Sequence, residues 1–362
     1  MASIVLYVSS HGFGHAARQQ AVIRALAQRG VRVYARSAAP GKFFREAYAH
    51  HSAAYDVGLI QPAPLLMDAV ATAAWYADFL ARQDDLAQAE ADFARSVGAG
   101  LIVSDMPPFA CEAADKAGLP CVVLTHFTWD WVYEHYAARV PSFLPIITSI
   151  RASYSKATLA LQMPFAHDFG HFRRVEPIPL VVNAITQSRE ATRRQWGAGL
   201  DDKVALISMG GHGWRGDAAR IDQRDDWRFW VMPQLWPQVA HSPHCTLIPT
   251  DTPDYHNLIA AADVVVGKAG GSTVAEVVAH QTAMLYTVND DWRENELLTA
   301  ALSRYGRAIY LPRERFEAGD WLDALDVALS LPPPSETLAC DGAEVAAERL
   351  LSMLVPSSRL HW

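Results

Sequence analysis

The sequence has 362 residues, of which 51% are hydrophobic, and its formal net charge is -8. Because a single hydrophobic core stops growing near about 250–300 residues, this length predicts two domains. The acidic balance argues against binding to nucleic acid through a basic surface. We also expect no membrane span, since no apolar run approaches the roughly 20 residues that a bilayer requires.

Four cysteines, Cys111, Cys121, Cys245 and Cys340, stand far apart and form no CxxC pair. This spacing is typical of buried free thiols in a reducing compartment rather than of a disulfide framework. The first residues lack the pattern of a secretory signal, because the apolar run Ile4–Val8 is short and leads directly into glycines. We therefore expect a cytoplasmic protein.

Short apolar runs alternate with helical patterns in the first half of the chain. Gly30 follows one helical pattern and Gly118 ends another, and glycine is typical just after the last helical residue. This βαβ alternation predicts a parallel, doubly wound sheet. The predicted strands are Ile4–Val8, Val31–Ala35, Leu101–Asp105 and Cys121–Thr125, and the predicted helices are His15–Arg29 and Phe109–Gly118.

The alternation starts again in the second half, after a stretch, Val175–Ile185, whose two prolines disfavour regular structure. We predict an α/β protein with two Rossmann-like domains that face a deep interdomain cleft. The first domain spans 1–178, the second 179–340, and a closing helix in 341–362 packs back toward the first domain. The predicted strands of the second half are Lys203–Met209, Cys245–Thr250, Asp263–Gly267 and Ala283–Val288.

The stretch HGFGHAAR after the first strand places His11, Gly12, Gly14 and His15 together. A metal site, a phosphate loop and a catalytic base are the alternatives. Two glycines interrupt the histidine spacing and the glutamate of HExxH is absent, so we expect no metal here. His15 begins the helix, whose N-terminus keeps an imidazole neutral and able to accept a proton.

Asp105 ends a strand of the same predicted sheet as the strand before His15. Because the ends of parallel strands lie at one edge, Asp105 can reach that histidine and orient it, as an acid orients the base of a hydrolytic triad. The alternative is that Asp105 caps the next segment.

A second glycine turn, GKAGGSTVAE, follows the strand that ends at Gly267. Gly270 and Gly271 allow close approach of a ligand, and Ser272 or Thr273 can cap the next helix. Backbone N–H groups and the helix dipole there form an anion site suited to a diphosphate. The alternative is a purely structural strand–helix turn.

Two charged residues accompany this turn. Glu276, one helical turn further on, can accept both hydroxyls of a ribose, unless it is simply solvated. Lys268 can neutralise a phosphate or lie exposed. A third turn, with Gly210, Gly211 and His212 after a strand, can contact a phosphate or an acceptor, and a structural turn is equally compatible with it.

The aromatic stretch HFTWDWVYEHY follows another strand of the first domain. Trp129 and Trp131 can line a sugar or acceptor pocket, although we expect at least one of them to pack in the core. Asp130 between them is a candidate for the acceptor side.

Taken together, these stretches resemble GT-B glycosyltransferases. The chain is more closely similar to the N-terminal glycosyltransferase-like domain of L-arabinokinase and to stand-alone bacterial proteins related to it. No kinase phosphate loop is present, so phosphotransfer is not implied. The stretches that carry the resemblance are His11–Arg18, Ser104–Gly118, His126–Tyr136, Pro179–Glu190 and Gly267–Glu276.

The resemblance implies roles for several residues. His15 matches the base-like histidine and Asp105 the aspartate that orients it, while Glu276 matches the ribose-binding glutamate. Asp290 and Glu294 fall where such enzymes contact the hydroxyls of the donor sugar, although DDWRENE replaces the usual pair there. No cofactor is implied beyond the donor substrate, for which we expect a UDP-sugar.

We therefore predict an inverting, metal-independent glycosyltransferase. The alternatives are a sugar-nucleotide hydrolase or 2-epimerase of the same fold, and a non-catalytic sugar-nucleotide-binding module. The pattern GFGHxxR also resembles a sugar-nucleotide hydrolase, and Arg18 in it binds an acidic acceptor or a neighbouring carboxylate. His11, Gly12 and Gly14 are candidates for the acceptor side or for supporting contacts.

Overall fold

The computed structural model of the protein describes residues 2–63, 66–209, 216–289 and 291–355. Strands β1 to β15, in chain order, are Ser3–Val8, Arg32–Arg36, Ala49–His51, Ile60–Ala63, Leu66–Asp68, Leu101–Asp105, Cys121–Thr125, Leu159–Gln162, Val175–Pro177, Lys203–Ser208, Trp227–Val231, Cys245–Leu247, Val264–Lys268, Ala283–Thr287 and Arg307–Tyr310. Helices α1 to α13 are Gly14–Gln28, Ala69–Ser96, Phe109–Ala117, Trp129–Ala137, Phe143–Tyr154, Arg189–Gln195, Trp236–Val239, Tyr255–Ala261, Gly271–His280, Asn295–Tyr305, Arg313–Glu317, Ala324–Ser330 and Gly342–Met353. Short 3-10 helices form at Gly41–Phe44 and Ala219–Gln223.

The chain divides into two compact units. Unit 1 consists of Met1–Pro62, Met67–Val181 and Ala339–Trp362, and unit 2 consists of Ala63–Leu66 and Val182–Leu338. The division after residue 181 falls within the proline-containing stretch 175–185. Helix α13 belongs to unit 1, which therefore combines segments that are far apart in the sequence.

Unit 1 contains a sheet of seven strands in the order β3-β2-β1-β6-β7-β8-β9, and all neighbouring strands are parallel. Every residue of β1, β6 and β7 is buried, as is typical of parallel strands covered on both faces. Ile4, Leu6 and Val8 alternate onto one face and pack with Leu26 of α1 and Leu350 of α13.

Unit 2 contains a sheet of six strands in the order β12-β11-β10-β13-β14-β15, again with parallel neighbours. Its core includes Ile207, Val266 and Leu285 from the sheet and the large side chains of Trp227 and Trp321. The prediction of an α/β protein with two parallel, doubly wound sheets is therefore confirmed.

Each sheet reverses its direction of winding once. In the first sheet the reversal lies between β1 and β6, where Val8 is the register partner of Asp105. In the second sheet it lies between β10 and β13, where Ser208 is the partner of Gly267. Loops at such a reversal diverge, and open α/β sheets bind ligands in the crevice at the carboxyl ends of those strands. The topology therefore places each candidate site at a reversal point.

Two expectations about local structure were wrong. Val175–Pro177 forms the edge strand β9, although its proline predicted irregular structure. Because β9 lies at the edge of the sheet and, among the described strands, pairs with β8 alone, the missing N–H of proline breaks no ladder bond. Cys245 is half-buried and Cys340 is exposed, so only the other two cysteines are buried thiols, with their Sγ atoms 3.6 Å apart.

Candidate active site

His15 lies in the first turn of α1, immediately after the loop that follows β1. The helix begins at Gly14 with Phe13 in the N-cap position, and its first turn contains no acidic residue. The partial positive charge of a helix N-terminus disfavours a protonated imidazole. The side chain of His15 is 6% exposed, so its ring is held almost entirely by protein.

The Asp105 carboxylate, at the end of β6, is fully buried and accepts hydrogen bonds from three side chains of α1. His15 Nδ1 lies 2.9 Å and Arg18 Nε 2.7 Å from it, Arg18 Nη2 makes a further short contact, and Gln19 Nε2 lies at 2.8 Å. These donors use all four lone-pair positions of an ionised carboxylate. Burial alone would raise the pKa of Asp105, but the charges of Arg18 and His15 and their hydrogen bonds hold it well below its usual range.

The tautomer of His15 follows from these contacts. Nδ1 lies 2.9 Å from Asp105 and 2.8 Å from Arg18 Nη2, and it cannot both donate to the carboxylate and accept from the guanidinium. Because Asp105 is ionised, we assign the proton to Nδ1, which leaves the lone pair on Nε2. No hydrogen bond to Nε2 forms among the described residues, so this nitrogen is the one that can take a proton from a substrate.

Arg18 bridges two residues of the site. Besides its contacts with Asp105, its Nη1 lies 2.8 Å from His126 Nδ1. Arginine only donates hydrogen bonds, so His126 Nδ1 must be an unprotonated acceptor. Arg18 thus binds a neighbouring carboxylate, which was one of the two roles that the sequence allowed, and it does so at 7% exposure.

Three residues of this site were not found from the sequence. The first is Gln19, which stands four residues after His15 and therefore lies on the same helix face as His15 and Arg18. That spacing was a signal from which Gln19 could have been predicted. His126 directly follows β7, and the argument that found Asp105 at a strand end applies to it equally. Asp56 lies in the loop before β4, and no local pattern marked it.

Asp56 is 1% exposed and accepts hydrogen bonds from Ser9 Oγ at 3.0 Å and from Trp129 Nε1 at 2.7 Å. Burial raises the pKa of Asp56 to about 6, although its hydrogen bonds to Trp129 and Ser9 and the charge of His15 act in the opposite direction. Because the folded protein favours the neutral form of Asp56, protonation of this group stabilises the fold. That contribution to the free energy of unfolding is present at low pH and is lost as the pH rises through about 6.

His11 packs against Trp129, which donates the indole hydrogen bond to Asp56. Its ring is edge-on to Trp129 with centroids 5.5 Å apart, and its Nδ1 accepts from Leu59 N–H at 3.3 Å. Gly58 lies against the same ring: its φ is +63°, and a Cβ there would stand 2.4 Å from His11 Cγ. Gly12 also has positive φ, at 68°. Glycines at 12 and 58 thus allow the backbone conformation and the close packing that hold His11.

Replacing Gly58 with alanine should destabilise the protein by more than the same change at Gly98. Both glycines have φ near +60°, so both variants carry the left-handed backbone penalty of about 1–2 kcal/mol. Only Gly58→Ala also collides with His11, since nothing lies within 4 Å of a Cβ at Gly98. Urea denaturation of the two variants measures the difference, and equal losses would contradict the packing described here.

Trp129 and Asp130 have different surroundings. Trp129 is fully buried, and its indole N–H is bonded to Asp56, so it supports the site from within the core. Asp130 is 2% exposed, but its Oδ2 faces Arg151 at 3.0 Å and His171 at 3.4 Å rather than the His15 cluster. Trp131 is half-buried.

Met106, immediately after Asp105, has a φ of 84°, which is rare for a residue other than glycine. Its sulfur accepts from Thr125 Oγ1 at 3.0 Å, and its carbonyl accepts from Tyr154 Oη at 2.6 Å. Such backbone outliers cluster at functional sites, where surrounding contacts hold them. The contacts of Met106 thus fix the direction in which the chain leaves Asp105.

In unit 2, the glycine turn connects β13 to α9. Gly270 occupies the N-cap position and Gly271 is the first helical residue. The expected capping by Ser272 or Thr273 is wrong, because Gly270 occupies the N-cap position and both residues lie inside the first turn. Since glycine has no side chain, the N-cap residue itself does not compete with an anion for the backbone N–H groups of this turn.

Glu276 lies on α9 and is 6% exposed. Its Oε1 accepts from the backbone N–H of Asn183 at 3.1 Å and from Asn183 Nδ2 at 3.2 Å, and its Oε2 lies 3.1 Å from His280 Nε2. Glu276 is thus held by neighbours rather than solvated. Asn183, just after the division between the units, is a partner that the sequence did not reveal.

Lys268, at the end of β13, is half-buried rather than exposed. Burial lowers the pKa of Lys268, while the charge of Glu294 opposes that shift. Glu294 is 6% exposed and accepts from Trp292 Nε1 at 2.7 Å. Thr287 and Asn289, at the carboxyl end of β14, each bury a side-chain oxygen without a hydrogen-bond partner among the described residues. Lys268 and Thr287 are register partners at the carboxyl ends of the adjacent strands β13 and β14.

The predicted turn of Gly210, Gly211 and His212 and the predicted donor-sugar residue Asp290 lie outside the described residues. Over the ranges that the structure does describe, no group of three or more His, Cys, Asp or Glu side chains is arranged to hold a metal ion. Within the same ranges, no helix combines the length and the apolar character of a membrane span.

Comparison with known proteins places this geometry in context. Residues 240–322, which include the β13–α9 turn and Glu276, match the glycosyltransferase family 28 C-terminal domain. The chain is 28% identical to L-arabinokinase of Arabidopsis thaliana over 361 residues, which is 95% of this chain and 34% of that protein. The chain thus spans about a third of the length of this relative.

Solved structures share the whole fold at low identity. Phytolacca americana UGT2, solved with UDP-2fluoro-glucose and pterostilbene, has a TM-score of 0.57 at 13% identity, covering 98% of this chain and 94% of its own. SnogD of Streptomyces nogalater has a TM-score of 0.55 at 14% identity, covering 97% of this chain and 99% of its own. The calicheamicin glycosyltransferase CalG4 has a TM-score of 0.57 at 14% identity, covering 98% of this chain and 95% of its own. The chain therefore has the GT-B glycosyltransferase fold and carries a region that matches the glycosyltransferase family 28 C-terminal domain.

Proposed function

We propose that the protein is an inverting, metal-independent glycosyltransferase that moves a sugar from a UDP-sugar to a hydroxyl group of an acceptor. The observation that carries this proposal is the 2.9 Å contact between His15 Nδ1 and the buried Asp105 carboxylate, which leaves His15 Nε2 as a proton acceptor. A base of this kind is what a transferase needs to activate a hydroxyl group.

In the proposed reaction, His15 Nε2 removes the proton of the acceptor hydroxyl. The acceptor oxygen forms a bond to the anomeric carbon, and the bond from that carbon to the diphosphate breaks. A single displacement of this kind inverts the anomeric configuration. The ionised Asp105 stabilises the imidazolium that forms, and it holds the ring in the productive tautomer.

The donor is assigned to unit 2. A Cβ at Gly270 would meet nothing within 4 Å, so packing among the described residues does not account for the glycine, and a diphosphate can approach the backbone there. The N-terminus of α9 and Lys268 supply positive potential for the leaving group without a metal ion. Glu276 uses about three of its four acceptor positions on Asn183 and His280, and a ribose hydroxyl would use the remaining one or displace Asn183.

A thermal-shift screen against UDP-, dTDP- and GDP-sugars tests the donor, since a ligand of the native state raises its apparent stability. We expect UDP-sugars to raise Tm, and then to transfer sugar when acceptors are added, in the presence of EDTA as well as in its absence. Release of free sugar at the same rate with and without acceptors would instead identify a hydrolase or 2-epimerase. Binding with no turnover would identify a sugar-nucleotide-binding module.

Replacing Glu276 with glutamine should weaken UDP-sugar binding by about tenfold to a hundredfold, because a hydrogen bond to a charged group contributes about 1.5–3 kcal/mol. Isothermal titration measures the affinity. Glu190→Gln is the matched control, since Glu190 lies in the same unit and is exposed in an ion pair with Arg194. An unchanged affinity in Glu276→Gln would reject the ribose-binding role.

A further inference from the structure

Asp56 is a buried carboxyl group whose position calls for an explanation. It accepts two side-chain hydrogen bonds, yet no Lys, Arg or His of the described chain forms an ion pair with it. A buried carboxylate without a cation is costly, and proteins usually replace or pair such a group.

The two donors to Asp56 lead directly to His15. Ser9 precedes the loop that carries His15 into the site, and the ring of Trp129 lies 6.5 Å from the His15 ring, centroid to centroid. The charge of a protonated His15 acts on Asp56. Asp56 and His15 therefore have the same indole ring as a neighbour, and the residue that donates to Asp56 precedes the loop that carries His15.

A count of charges shows what Asp56 adds. Arg18 and Asp105 form a buried ion pair, and their charges cancel. An ionised Asp56 leaves the group with one negative charge while His15 is neutral. When His15 takes up a proton, the buried charges balance.

We propose that Asp56 is a second carboxylate for the base: its buried negative charge, held by Ser9 and Trp129 without a cation of its own, stabilises the proton that His15 receives. This role makes Asp56 a positioning residue that acts through His15. The inference rests on the proposed function of His15 as the general base.

The other groups around Asp56 do not supply that positive charge. His11 Nδ1 accepts a hydrogen bond from Leu59 N–H and is therefore unprotonated. Tyr76 and Tyr133 both face Asp56, and burial raises the pKa of each phenol well above its ordinary value, so both stay neutral. His15 is thus the neighbour of Asp56 that can supply the positive charge when it receives a proton.

The indole N–H of Trp129 reports directly on Asp56, because the carboxyl group accepts its hydrogen bond. Its ¹⁵N–¹H resonance, assigned by its loss in Trp129→Phe, should titrate with pH in the whole protein with a midpoint near 6. Coupling between two sites is reciprocal, so His15→Gln should raise that midpoint by about 0.5 pH unit or more. His135→Gln, an exposed histidine of the same helix as Trp129, should leave it unchanged.

Two results would overturn the proposal: a midpoint that is the same in His15→Gln and the wild type, or a Trp129 resonance that does not titrate between pH 4 and pH 8. Asp56→Asn retains an oxygen that can accept from Trp129 and an amide that can donate to Ser9 Oγ, so we expect this variant to fold. The Trp129 indole resonance of the variant should not change with pH near 6, because asparagine does not titrate. We also expect its kcat for transfer at pH 7 to fall about tenfold. The titration needs no substrate, so a coupled titration without any transfer would reject the proposed function and retain the charge coupling.

Discussion

Replacing His15 with glutamine should lower kcat for glycosyl transfer by about 10²–10⁴-fold, which is the usual contribution of a general base. Glutamine preserves much of the size of the side chain and can still donate to Asp105, but it offers no basic nitrogen to the acceptor hydroxyl. The KM for the donor should change little, because the donor is assigned to unit 2. Steady-state kinetics with saturating acceptor and varied donor separates the two parameters.

His135→Gln is the matched control for this experiment, since His135 is an exposed histidine of the same unit. Its kcat should equal that of the wild type. A His15→Gln variant that retains near-normal kcat would remove His15 from the role of base. A variant that loses donor affinity instead of turnover would place His15 in donor binding.

Replacing Asp105 with asparagine should lower the free energy of unfolding by about 3–5 kcal/mol, the loss expected when one partner of a buried ion pair is removed. The Arg18 guanidinium would stay buried at 7% exposure without a counter-charge, and the asparagine amide would meet donors from Arg18 and Gln19. We also expect kcat to fall, since His15 loses the group that orients it. Urea denaturation at 25 °C measures the first effect.

Stability and catalysis can be separated by a second substitution. Arg18→Met in the Asp105→Asn background removes the uncompensated charge, so it should restore part of the stability while kcat stays low. Glu336→Gln, which breaks an exposed ion pair with Arg304, is the control and should change stability little. If Asp105→Asn is no less stable than this surface variant, Asp105 is not the buried counter-charge described here.

Much of the fold was predictable because apolar runs and glycines follow local rules. The buried strand at 4–8, the helix that stops before Gly30 and the restart of the βα alternation near residue 203 all follow from periodicity and turn chemistry. The same rules placed His15 after one strand and Asp105 at the end of another, and an argument about parallel strand ends brought them to one edge. The 2.9 Å contact between them is the result.

Local rules failed where a residue depends on its neighbours in space. Proline at 177 argued against a strand, but an edge position makes its missing N–H harmless. Asp56 carried no sequence signal, because its importance comes from Ser9 and Trp129, which are 47 and 73 residues away in the chain. Arg18 was ambiguous for the same reason, since an exposed and a buried arginine look alike in a sequence.

The sequence by itself determined the two-sheet α/β architecture and the location of the glycine turn before α9, and it brought His15 and Asp105 to one sheet edge as candidate partners. Hydrophobic periodicity and parallel strand order are encoded locally, which is why these features could be predicted. The tertiary structure alone decided which charges are buried together. Arg18, Gln19 and His15 contact Asp105 only in the folded chain. Asp56 likewise becomes buried, away from water, only when the chain folds. Desolvation and charge proximity depend on distances across the fold, and these determine the protonation states from which the chemistry follows.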